Sequence, residues 1–221
     1  MLLYYITGRK GFAGTATGQR TALLHKIAGA AGAGIDYIQL REKDLPPSEL
    51  ECLAHEAVRA VRDNSPTTKL LVNGRADIAL ACGADGVHLP SGELPASEIR
   101  ALWMKCCGSE LVIGVSAHSL ANVRDAEAQG ASFAVLAPIF EKVQTDVKGI
   151  GLNALREACS ATSKRGDVEG SGSGRLAVLA LGGVNLTNAR ACLQAGAAGL
   201  AGIRLFQSGD IRETVRRLRE F

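Results

Sequence analysis

Two rhythms alternate along this chain: short, nearly unbroken apolar runs, and longer stretches in which apolar positions return every three or four residues. Four of the short runs follow a Gly-Ala dipeptide. Gly32-Ala33 leads to IDYIQL (35–40), Gly83-Ala84 to GVHLP (86–90), Gly130-Ala131 to FAVLAP (133–138) and Gly196-Ala197 to GLAGI (199–203). Glycine supplies the left-handed residue that closes a helix, and a run without alternation is what a strand covered on both faces looks like. Each dipeptide therefore predicts a helix stop feeding a buried strand. The dipeptides lie roughly fifty residues apart, room for two βα units per interval, and the longer third interval leaves space for extra loop.

Four further runs fall between these: LLYYIT (2–7), KLLVN (69–73), LVIGVS (111–116) and LAVLALGG (176–183). Helical periodicity separates them. In Ser48–Arg62, the residues Leu50, Leu53, Ala54, Ala57, Val58 and Val61 recur at helical spacing with charges between, and Leu120–Gln129 and Asn188–Ala195 repeat the pattern. Eight alternating units predict an α/β fold, a TIM-type (β/α)8 barrel spanning 1–221 as a single domain, with a doubly wound open sheet as the alternative. A length of 221 residues is within reach of one such barrel, and the 4% aromatic content agrees with an interior filled by Val, Ile, Leu and small residues.

Charge narrows the partners. The balance of 25 Lys and Arg against 22 Asp and Glu, with no block of like sign, predicts neither nucleic acid nor a membrane surface as partner. The apolar part of MLLYYITGRKGF is far shorter than the ~20 residues of a membrane span and no cationic region precedes it, so the chain reads as cytoplasmic. The six cysteines, Cys52, Cys82, Cys106, Cys107, Cys159 and Cys192, form no C-x-x-C pair. They are expected as small, mostly buried hydrophobes in a reducing compartment rather than as disulfides or zinc ligands.

In a barrel, the residues just beyond each strand converge on one mouth. The second strand ends Gln39-Leu40-Arg41-Glu42-Lys43, which places Gln39, Arg41 and Lys43 on one side and aims two cations at the mouth. Arg with Lys at that spacing suits a polyanion such as pyrophosphate, unless both are paired to Glu42 and Asp44. Asn73 stands at the end of the third strand, and Asp77 falls in the first turn of the helix that follows, a structural position. His88 reads equally as a satisfied core histidine or a site residue. The fifth strand ends Ser116-Ala117-His118-Ser119, where Ser116 and His118 point the same way as a hydrogen-bonding and acid/base pair, or a serine caps the next helix. Gly182-Gly183 after the seventh strand, with Ile203-Arg204 at the eighth, fits the place where barrels bind phosphate. Two irregular stretches complete the pattern. Phe140–Gly151 leaves a strand at the mouth, and Ser163–Arg175 enters one from the opposite face and reads as a surface linker. The residues alone thus predict a small phosphorylated substrate.

The stretches YYITGRK, IDYIQLREKDL, LLVNGRADIALACGADGVHLP, VIGVSAHS, AEAQGASFAVLAPIF, LALGGVN and AGAAGLAGI together resemble the thiamine phosphate synthase and TenI-type thiazole tautomerase superfamily, over nearly the whole chain. The resemblance implies the joining of hydroxymethylpyrimidine pyrophosphate to thiazole phosphate with loss of pyrophosphate. In that family the step passes through a carbocation-like pyrimidine that the thiazole nitrogen captures. It further implies pyrophosphate held by magnesium, Arg41 and Lys43, with Gln39 and Asn73 lining the pocket. Lys148 would match the lysine of the loop after the sixth strand. Ser116 would contact the reacting groups, and Gly182, Gly183, Ile203 and Arg204 would hold the thiazole phosphate.

This chain departs from the family pattern at several points. Gly74 stands where an aspartate normally follows Asn73, so Glu93 is the one carboxylate left for magnesium. Thr7-Gly8 replaces a stretch where Asp is common, and EKVQTDVKG does not match the usual Thr-Pro-Thr-Lys loop. These changes keep open a tautomerase, which needs a thiazole phosphate site and His118 as acid/base but no magnesium, and a barrel that binds phosphate compounds without turnover. Barrels of this kind often associate, which leaves a homodimer open.

Overall fold

The computed structural model describes residues 1–108, 110–141, 148–162 and 175–221. Eight parallel strands close into a barrel in chain order: β1 (Leu2–Ile6), β2 (Tyr37–Leu40), β3 (Lys69–Asn73), β4 (Gly86–Leu89), β5 (Val112–Ala117), β6 (Phe133–Leu136), β7 (Ala177–Ala180) and β8 (Gly199–Gly202). The seam is made by β1, which pairs with β2 on one side and β8 on the other. The TIM-type barrel is therefore the observed fold, and the doubly wound sheet is excluded. Helices α1 (Ala16–Gly32), α2 (Pro47–Arg62), α3 (Ala76–Cys82), α4 (Ala96–Cys107), α5 (Leu120–Ala128), α6 (Gly151–Ala161), α7 (Ala189–Gln194), α8 (Arg204–Gln207) and α9 (Ile211–Arg219) follow the strands, the last two in tandem.

The two-residue period of the strands sorts their side chains into two cores. Outward residues such as Leu3, Ile38, Val72, Val87, Ile113, Ala134 and Leu200 pack under the helices, and inward Tyr4, Ile6, Leu71, Phe133, Val135, Leu179 and Ala201 fill the barrel. Close approach of the strands is what demands some of the glycines. A Cβ on Gly199 would fall 2.1 Å from the Leu2 carbonyl oxygen, and one on Gly86 would fall 1.9 Å from that of Val112.

The helix stops need one correction. Gly83, Gly130 and Gly196 take left-handed backbone as expected, but at the end of α1 the left-handed residue is Gly34 (φ 84°), while Gly32 is still helical. The chain has two glycines near this stop, and the helix runs through the first because Ala33 and Gly34 donate to the carbonyls of Ala30 and Ala31. The cysteines also divide. Cys82 and Cys192 are buried, whereas Cys52, Cys106 and Cys107 are exposed, on helix positions that alternate with core residues such as Leu53 and Trp103. Half of Phe140–Gly151 (142–147) and all but the last residue of Ser163–Arg175 (163–174) lie outside the described residues. No helix among the described residues is long and apolar enough to cross a membrane.

The α1 stop is directly testable. Gly34→Ala forces an alanine into left-handed backbone and should cost about 1 kcal/mol in urea denaturation. Gly32→Ala, with open space around it, should be neutral or stabilising by up to ~1 kcal/mol. Equal losses at the two positions would reject this assignment.

Candidate active site

Extending the inward register by one or two residues past each strand brings Gln39 and Arg41 (β2), Asn73 (β3), His88 (β4), Ser116 and His118 (β5), Leu181 (β7) and Ile203 (β8) to the same end of the barrel. With Lys43, Gly182, Gly183 and Arg204 they line a cavity of about 1190 Å³. A smaller cavity of about 640 Å³ adjoins it on the β1 side and shares Arg41, Lys43, Ile203 and Arg204.

A buried clamp sets the direction of the two β2 cations. Glu42 is only 4% exposed; its carboxylate accepts the Thr7 hydroxyl at 2.7 Å and the Arg9 backbone N–H at 3.1 Å, and Thr7 Oγ1 in turn accepts the Arg41 backbone N–H at 2.9 Å. Asp44 is taken up by Arg9 at 2.6 Å and Lys10 at 3.2 Å. The carboxylates adjoining Arg41 and Lys43 are thus turned toward the β1 loop. Neither cation has an ion pair among the described residues, so the paired-loop alternative does not hold. Sequence reasoning missed this clamp, since a buried Glu carries the same letter as a solvated one.

Across the mouth, Gly182 (φ 96°) and Gly183 (φ 67°) turn the chain after β7 tightly against the β6 loop, where a Cβ on Gly182 would meet Pro138 at 2.7 Å. Asn188 Nδ2 holds the Gly183 carbonyl at 3.0 Å, and Asn185 accepts from Thr187, so the loop is pinned by its own amides. The backbone N–H groups of Gly182, Gly183, Ile203 and Arg204 have no acceptor among the described residues. The Tyr5 hydroxyl donates to Gln207, which donates to the Gly8 carbonyl, fastening α8 to the β1 loop. Such a cluster of backbone donors beside a cation suits a phosphate.

Between these two regions stand Ser116 and the two histidines. His118 Nδ1 lies 2.9 Å from the Ala137 carbonyl, which can only accept, so Nδ1 carries a proton, and in the neutral ring Nε2 would be the bare nitrogen. His88, 3% exposed, bonds at both ring nitrogens, to the Tyr4 hydroxyl and to Ser116. Ser119, not Ser116, caps α5, by accepting the Asn122 N–H.

A family model described as thiamine monophosphate synthase matches residues 3–206. The thiamine-phosphate synthase of Moorella thermoacetica is 36% identical over 200 residues, covering 89% of this chain and 87% of that one. That of Methanoculleus marisnigri is 36% identical over 194 residues, covering 86% and 83%. The chain belongs to the thiamine monophosphate synthase family. Among solved structures, the thiamine phosphate pyrophosphorylase of Pyrococcus furiosus superposes with a TM-score of 0.77 at 28% identity, covering 99% of this chain and 94% of that one.

Two predicted residues of this family member stand apart from the cavity. Lys148 is exposed and is not part of the lining, and soon after it Ile150 and Gly151 are tied back to the Pro138 and Ile139 carbonyls. Glu93 is exposed on the β4 loop, beyond the lining residues Pro90 and Ser91. Its Oε2 lies 3.5 Å from where a Cβ on Gly74 would stand, so the position of the missing aspartate and Glu93 are neighbours. Among the described residues, no group of three His, Cys, Asp or Glu could hold a metal ion.

The clamp has a pH signature. Burial raises the Glu42 carboxyl above its ordinary value, outweighing the Thr7 and Arg9 bonds that lower it. The folded chain then binds this proton more tightly than the unfolded chain. The stability carried by this group is fully present at low pH and declines as pH rises from about 4.5 through the raised value. Relative to Glu42→Gln, which does not titrate, the wild-type urea midpoint should fall across that window; a constant difference would contradict the buried clamp.

Proposed function

We propose that this chain joins hydroxymethylpyrimidine pyrophosphate to thiazole phosphate, with release of pyrophosphate. The observation that carries this reading is two separated sets of groups in one cavity: the cations Arg41 and Lys43 beside Asn73, without an ion pair among the described residues, and the backbone N–H groups of Gly182, Gly183, Ile203 and Arg204, without an acceptor among them. One phosphate site alone would serve many barrels; two suit one substrate with a pyrophosphate and another with a monophosphate.

In this reading the pyrophosphate lies against Arg41 and Lys43, whose charges favour its departure as the bond from the pyrimidine CH₂ to the bridging oxygen breaks. The thiazole, anchored through its phosphate at the β7 and β8 loops, presents its ring nitrogen to the same carbon, and the new C–N bond replaces the C–O bond. Orientation within one cavity supplies much of the rate. Ser116 sits where it can touch the reacting groups. The residues present fit magnesium in a loose way. This ion takes one or two carboxylates and fills the rest of its shell with water and substrate phosphate oxygens, and Glu93, on the β4 loop beyond the lining, would supply one carboxylate. When bound, magnesium would neutralise charge on the pyrophosphate.

A second reading follows from His118. With Nδ1 donating to Ala137, Nε2 of the neutral ring is the atom that would take a proton, as a thiazole tautomerase requires. One experiment separates the two. Incubation with thiazole carboxylate phosphate alone gives isomerisation in a tautomerase, and addition of the pyrimidine pyrophosphate gives pyrophosphate release in a synthase. Neither signal would leave a binding barrel.

Two variants sharpen the assignment. Arg41→Ala should weaken pyrophosphate binding about ten- to a hundredfold in calorimetry, the value of a charged forked bond, and an unchanged isotherm would remove Arg41 from the site. Gly74→Asp, at a left-handed position that Asp tolerates, should lower the magnesium concentration for half-maximal pyrophosphate binding severalfold. An unchanged magnesium curve would take Gly74 and Glu93 out of the metal account.

A further inference from the structure

The barrel interior below the cavity contains a file of polar groups that the reaction above does not use. It begins at Gln39, passes through Tyr4 and His88, and ends at Ser116 in the cavity wall. We propose that Tyr4 and His88 fix the direction of the Ser116 hydroxyl proton, so that Ser116 meets the substrate as a hydrogen-bond donor. His88 is then a positioning residue, and its partner in the cavity is an acceptor atom, a ring nitrogen or a phosphate oxygen. The inference rests on the reading that substrate binds in this cavity.

The direction follows from what each atom is able to do. Gln39 Nε2 donates to the Tyr4 hydroxyl oxygen at 2.9 Å and, being an amide N–H₂, cannot accept in return. The Tyr4 proton then has one bonding partner among the described residues, His88 Nδ1 at 3.0 Å. Tyr4 is wholly buried and His88 is 3% exposed, so water offers no alternative at that nitrogen. Burial, with the Arg41 charge adding to it, pushes the imidazole down to about 3, and the ring is neutral at physiological pH. A neutral ring has one N–H. With Nδ1 accepting, the proton is on Nε2, which donates to Ser116 Oγ at 2.9 Å. Ser116 Oγ makes no other bond to a described residue, and its own proton is left for the cavity.

The ring has no freedom to reverse this order. A Cβ on Gly114 would come within 2.7 Å of His88 Nδ1 and 2.6 Å of the Phe133 ring, so glycine at 114 makes the seat. Phe133 in turn stands edge-on to Tyr4, at 5.1 Å between ring centres. All three bonds therefore run the same way, and each polarises the next. With its proton unclaimed, Ser116 favours ligands that present an acceptor there, and the single Oγ lone pair not taken by His88 Nε2 is all it offers to an N–H or O–H.

The direct test is the ¹⁵N spectrum of the His88 ring in the wild-type protein, assigned by its disappearance in His88→Asn. The expected result is a protonated Nε2 and a bare Nδ1 that do not titrate between about pH 5 and pH 8. A protonated Nδ1 would overturn the proposal, with no variant needed. Kinetics supply the second arm. Tyr4→Phe and Ser116→Ala should each lower kcat/KM for pyrophosphate release about tenfold, and the double variant should be no slower than the slower single one. Losses that multiply to about a hundredfold would show Tyr4 acting through packing alone and overturn the relay. Absence of turnover in the wild type would sink the proposed reaction while the ¹⁵N spectrum still decided the direction of the file.

Discussion

Closure of the sheet at β1 is the constraint on which the rest of this molecule depends. Once β1 is bonded to β2 and β8, every strand is parallel and every inward position is set by a period of two. The register that puts Tyr4 beside Tyr37 and Ala201 in the interior also carries Gln39, Arg41, His88, Ser116 and Ile203 to the mouth. A slip of one residue on any strand would send its site residue under a helix. Glycine is needed where the strands press closest, and Gly199 against Leu2 lies on the seam itself.

Electrostatics at the mouth are arranged by diversion rather than by accumulation. The chain is nearly neutral, and Arg41 and Lys43 are followed directly by Glu42 and Asp44. Glu42 is turned inward to Thr7 and the Arg9 N–H, and Asp44 outward to Arg9 and Lys10, which frees two cations at the lip of the cavity. A buried carboxylate of this kind is costly alone and tolerable only because its oxygens are bonded. The same bonds hold the β1 loop against β2, so the two cations and the smaller cavity beside them share one support.

The strands were legible because buried parallel strands read as apolar runs, and LLYYIT, KLLVN and FAVLAP all fall on observed strands within two residues of their ends. Helix α2 was legible from its apolar stripe. The left-handed stop of α1 was misplaced by two residues because only backbone hydrogen bonding distinguishes Gly32 from Gly34. The places of Arg41, Gln39, Ser116, Gly182 and Gly183 at strand ends, all five lining the cavity, were legible. Tyr4, Thr7 and Glu42 were not, since their roles lie in contacts across distant strands. His88 looked equally like core and cavity because it is both: nearly fully buried, yet part of the cavity lining and bonded to Ser116. The exposed cysteines of α2 and α4 escaped because alanine-rich helices blur which face is covered.

Family membership and two separated sets of donor groups in one cavity combine into one proposal: a barrel whose mouth would bring a pyrophosphate and a monophosphate to either side of Ser116. A crystal structure of the chain soaked with magnesium pyrophosphate and thiazole phosphate together tests that account most directly. It should show the pyrophosphate against Arg41 and Lys43 and the monophosphate on the N–H groups of Gly182, Gly183, Ile203 and Arg204, with Ser116 between them. Both ligands competing for one of these places, or the pyrophosphate lying away from Arg41 and Lys43, would contradict it.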